Sequence, residues 1–84
     1  MNERAGKYGL TPTEYEVLLQ LVLGKSNPQI GLNMHISPHT VKIHVARILE
    51  KFEVHNRIQA TAKAIREDLV DEYFLRNAFQ EEAG

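Results

Sequence analysis

Cysteine is missing from the 84 residues altogether. That excludes a disulfide staple and a thiolate metal site, and it fits a cytoplasmic chain. Long apolar runs are missing as well. None approaches the roughly 18 residues that a membrane span requires, and no signal-peptide pattern is present. There is no glycine-rich phosphate loop, no internal repeat and no low-complexity segment. Strand-like alternation is absent too, which excludes a sheet protein and leaves an all-α one. A chain this short buries only about 60–65% of its unfolded surface, so one small domain is the limit.

Net charge is also scarce, at −1, but its distribution is uneven. Residues 25–66 carry seven basic groups against two acidic ones, and all four histidines lie there. Residues 67–84 carry six acidic groups against one basic. A nucleic-acid footprint is a local patch rather than a total, so the central block is where one belongs.

What is present is a series of helix starts. Thr11-Pro12 with Glu14 spells a capping box with proline in the first turn. Asn27 before Pro28 reads as a second cap, and Ser37 before Pro38 as a third. Asn56 opens a fourth helix, and Gly24 has the place of a left-handed helix end. The expected helices are 12–23, 28–34, 38–52 and 57–67. The second and third are joined by a tight turn, and the later one is longer, which is the helix-turn-helix pattern. Gly31 lies inside the second helix, where glycine costs about 1 kcal/mol against alanine. Close packing of the second helix on the third accounts for it.

The third helix has two faces. Stepping about 100° per residue from Val41, the residues Val45, Ile48, Leu49 and Phe52 form a core stripe. The opposite side carries His39, Ile43, Ala46 and Glu50, edged by Lys42, Thr40 and Arg47. An isoleucine beside an alanine, ringed by cations, suits a major groove: apolar atoms meet thymine methyls and cations meet phosphates. In the fourth helix, Ile58, Thr61, Ala62 and Ile65 are expected inside. Ala60 and Ala64, with Lys63 beside them, are expected on an outer face that a second helix can approach closely.

The run LTPTEYEVL, then G, SNPQI, IS, TVK, HV, IL, KF, V, NR and QA along residues 10–60, resembles the LuxR-type (GerE-like) DNA-binding domain of bacterial transcription regulators. The resemblance covers Leu10 to about Val70. It implies a four-helix domain that binds double-stranded DNA, with Thr40, Lys42, Ile43 and Ala46 facing the DNA. It implies that Asn27 and the start of its helix match a phosphate contact. His44 matches a motif histidine that is either structural or DNA-facing. The fourth helix is implied as the dimer contact, at Ala60, Lys63 and Ala64, with a homodimer that is weak when free. Family members usually carry an upstream regulatory domain, either a phospho-receiver or a small-ligand sensor. Where glycine often ends the third helix in that family, this chain has Glu53.

The expected organisation is a flexible lead at 1–9, the helix-turn-helix domain at 10–70, and a C-terminal extension at 71–84. Tyr73, Phe74, Leu75 and Phe79 give that extension an amphipathic helical pattern. No cofactor is expected. His35, His39 and His44 share no clean ligand face, because Ser37 starts a new helix between the first two. Glu14 and Glu16 lie on different sides of one helix, and Ser26 and Ser37 are explained by local turns and capping, so the chain does not read as an enzyme. The alternative to a DNA-binding regulator is a module of the same fold that dimerises with a full-length regulator and silences it.

Overall fold

The structure, a computed structural model, describes residues 3–70. It is all-helical there: α1 (Glu3–Gly6), α2 (Pro12–Val22), α3 (Asn27–Met34), α4 (Pro38–Phe52) and α5 (Arg57–Arg66). The C-terminal extension expected at 71–84 lies outside the described residues. No described helix is long and apolar enough to cross a membrane.

Helix α4 is the hub. It packs against α2, α3 and α5, and its Val41, Val45, Ile48 and Phe52 are buried. Leu18 and Val17 of α2 and Ile30 of α3 join them with no exposure at all. Each such side chain contributes roughly 1.5–3 kcal/mol by leaving water.

The helix starts follow from side-chain capping. Thr11 Oγ1 accepts from Glu14 N–H at 3.1 Å, and Glu14 Oε1 accepts from Thr11 N–H at 2.9 Å. This is the expected capping box. For α3 the expected cap was Asn27, but the structure places it one residue earlier. Ser26 Oγ accepts from Gln29 N–H at 3.3 Å, and Gln29 Oε1 accepts from Ser26 N–H at 2.8 Å. The reciprocal pair outcompetes a lone Asn cap, and Pro28 is still within the first turn, where it costs no hydrogen bond. Ser37 and Asn56 cap α4 and α5 as expected.

The helix ends share one device. Helices α2 to α5 each run into a residue with positive φ: Gly24 (78°), His35 (59°), Glu53 (57°) and Asp68 (58°). The residue after each donates its N–H back to the last turn: Lys25 to Gln20 O, Ile36 to Gly31 O, Val54 to Leu49 O and Leu69 to Ala64 O, at 2.8–3.0 Å. Such closures satisfy carbonyls that the helix end would orphan.

Gly31 is needed for a close approach, though its neighbour is the turn rather than the body of α4. A Cβ there would sit 2.6 Å from Ile36 O and 3.4 Å from Pro38 N.

Two expectations are corrected. Residues 3–9, read as part of a flexible lead, are tied to the domain through Ala5, Arg4 and Tyr8. Ala5 is fully buried, and the Tyr8 ring meets Phe52 edge-on at 5.0 Å. The physical cause is a set of contacts far apart in sequence: Arg4 pairs with Asp68 and the Tyr8 hydroxyl donates to Glu67.

The second correction reverses α5. Ala60 and Ala64 are fully buried within the chain, whereas Ile58 is 77% exposed and Ile65 59%. The small side chains let α5 sit close on α2 and α4, and this forces the isoleucines outward. Ala60 and Ala64 are therefore not open to a second subunit. Lys63 is engaged too: its ammonium pairs with Glu67 at 3.2 Å and lies 5.1 Å from the Tyr8 ring centroid.

Candidate nucleic-acid interface

The outward face of α4 carries His39, Lys42, Ile43, Ala46 and Arg47, all exposed, with Thr40 half-exposed at its start. Their spacing of three and four residues sets them side by side over two turns. The face is rigid because the opposite one is buried against α2, α3 and α5.

Thr40 is tied down locally. Its N–H donates to Ser37 Oγ at 3.1 Å, and the two hydroxyls share a hydrogen bond at 3.0 Å. The first turn of α4 holds no acidic residue, so the positive end of the helix dipole is not neutralised. Lys42 and Arg47 pair with no carboxylate among the described residues. Glu50, the nearest acid along α4, lies at the far end of the face. Ile43, 41% exposed between these cations, is one of the few large apolar side chains left in water.

His44 lies off this exposed face. It is half-buried, and its Nδ1 is buried without a hydrogen-bond partner.

Asn27 stands apart from the α4 group. Its Oδ1 accepts from Arg57 Nη1 at 2.7 Å, and Arg57 Nη2 donates to Lys25 O at 2.8 Å. Arg57 thus ties the start of α5 to the start of α3. Sequence reasoning missed this residue, although a signal existed. An arginine in the first turn of a helix faces the positive end of the dipole, so its place there calls for an acceptor elsewhere.

Among the described residues, no three His, Cys, Asp or Glu side chains converge as a metal site.

The family described as "Bacterial regulatory proteins, luxR family" matches residues 8–64. This chain belongs to the luxR family. It is thus a DNA-binding helix-turn-helix domain of the transcription-regulation type; α3 and α4 are joined by a tight turn at 35–37. The chain is 44% identical over 71 residues to the response regulator protein VraR of Staphylococcus saprophyticus. The same identity holds for VraR of Staphylococcus aureus and of Staphylococcus epidermidis. These matches take in 83% of this chain and 34% of each relative, so the luxR-type chain spans about a third of their length.

Proposed function

We propose that α4 enters the major groove of double-stranded DNA and reads sequence there. The observation that carries this reading is the α4 face itself: Ile43 and Ala46 are held in water between Lys42 and Arg47, which pair with no carboxylate among the described residues. Exposed apolar atoms suit thymine methyls, Lys42 suits a base edge or a phosphate, and Thr40 and Arg47 suit phosphates flanking the groove. His39, at the exposed start of the helix, joins the backbone contacts. The Asn27 phosphate contact implied by the family rests on the amide nitrogen, since a phosphate accepts and only the amide N–H can donate; Oδ1 meanwhile accepts from Arg57.

The dimer contact moves to the other side of α5. Ile58, Thr61, Ala62 and Ile65, with Leu21, Gly24, Lys25 and Arg57, line a shallow apolar groove of about 490 Å³. Large exposed isoleucines are what an isologous two-fold contact buries. One domain offers little area, so the homodimer is weak when free and strengthened on DNA, where two half-sites lie about one helical turn apart. The relatives are response regulators by name. A regulatory domain belonging to the remaining two-thirds of such a protein would set when the two copies meet.

Selection of bound sequences from random duplex DNA tests this function. The expected product is an enriched motif with two related half-sites. Recovery of unenriched duplex, together with capture of a full-length luxR-type regulator by the α5 face, would instead favour the silencing module.

A further inference from the structure

The α5 groove has a candidate occupant inside the chain. Its walls are apolar, from Leu21, Ile58, Ala62 and Ile65, and two cationic residues, Lys25 and Arg57, stand at its border. Residues 71–84 supply the complementary chemistry: Tyr73, Phe74, Leu75 and Phe79, with four carboxylates against one arginine. The starting point fits as well. Leu69 N–H donates to Ala64 O at 2.8 Å, and Leu69 and Val70 are buried, so the chain is anchored against the last turn of α5 just before this segment begins.

Length is sufficient. Fourteen residues span about 21 Å even as a helix, and the ten residues of α5 only about 15 Å. A second copy, by contrast, brings another Lys25 and another Arg57 to the same surface.

We propose that residues 71–84 occupy the α5 groove of their own chain and compete there with the second copy. This rests on the α5 dimer reading above, and makes the extension a built-in brake on assembly. The brake is released when the groove is contested by a partner held close, as on paired half-sites.

The test uses the full 84-residue chain carrying Phe74→Ser and Phe79→Ser, neither of which lies in the described core. Self-association is followed by sedimentation, and backbone amide shifts are recorded at a concentration where the chain is monomeric. Association is expected to tighten at least about tenfold, because a dimer requires two uncovered faces and each uncovered fraction multiplies its association constant. The amides of Leu21, Lys25, Ile58, Ala62 and Ile65 are expected to shift more than those elsewhere in residues 3–70. Shifts confined to residues beyond Val70 would overturn the proposal. So would weaker association, which would place the segment on the partner's groove. An Ile58→Glu chain separates the two readings. If it associates like the parent while the groove amides still report the two Phe→Ser changes, the occupancy stands and the dimer reading falls.

Discussion

Glu53 ends α4 in the left-handed region, at φ 57°, where a side chain costs roughly 1–2 kcal/mol against glycine. Its carboxylate has no partner among the described residues that would offset this. Glu53→Gly is therefore expected to stabilise the domain by about 1 kcal/mol, with DNA affinity unchanged; urea unfolding checks it. Glu14 is the opposite case, a side chain whose charge is well used. It is 2% exposed and accepts from Thr11 N–H and from Lys51 Nζ, which also donates to Gly9 O at 2.8 Å. Burial pushes its pKa up, but the Lys51 and Thr11 hydrogen bonds outweigh this and hold it below the ordinary 4.5. Glu67 is held low too, first by the Tyr8 hydroxyl. Carboxylates with lowered folded pKa contribute stability above their unfolded value, and it is lost as pH falls through the folded one. Glu14→Gln is thus expected to be less stable at neutral pH and to lose stability less steeply with acid below 4.5 than the parent. Unfolding midpoints across that range decide it, and equal slopes for both chains would count against the Lys51 pair.

Among the elements, α4 was the most legible. Its buried side chains are large and recur with the helical period, so both faces could be assigned before any coordinates, and its bounds came out as expected. The fit at Gly31 was legible in kind but not in partner, since proximity of the Ile36–Pro38 backbone depends on the left-handed turn at His35. Gly31→Ala is expected to destabilise by roughly 1–3 kcal/mol, overpacking exceeding the gain in helix propensity. It should also lower DNA affinity, because the turn aims α4; a variant of parental stability would refute the contact. Helix α5 misled because periodicity tells which residues share a face, not which face turns inward. Choosing the side with the isoleucines assumed that bulk goes inside, whereas close approach of α5 to α2 and α4 needs alanine there. Ile58→Glu is expected to abolish what self-association the chain has while leaving the helical content of the domain unchanged, since Ile58 is 77% exposed. Loss of helix by circular dichroism would show that Ile58 is needed for the fold instead.

Taken whole, the molecule is closed by contacts that no local pattern announces. Arg4 reaches Asp68 and Tyr8 reaches Glu67, with Lys7 3.7 Å from the same carboxylate. The first described residues are thereby held against the end of α5. Polar composition and two glycines made that stretch look like a linker, because its partners lie some sixty residues away. The same clamp gathers Glu67 and Asp68 at the far end of the described chain, while Lys42 and Arg47 on α4 pair with no carboxylate among the described residues. Separation of charge across the fold is what makes a chain of net charge −1 fit to approach a polyanion. Binding should accordingly depend on salt through Lys42 and Arg47 of α4. Fluorescence anisotropy with a selected duplex, repeated over a series of salt concentrations, compares the parent with Lys42→Ala and Arg47→Ala. Each substitution is expected to weaken binding, by about 1–3 kcal/mol where it reaches a base edge, and to reduce the salt slope by about one where it meets a phosphate. Parental affinity and parental slope in both variants would contradict α4 as the DNA-reading helix.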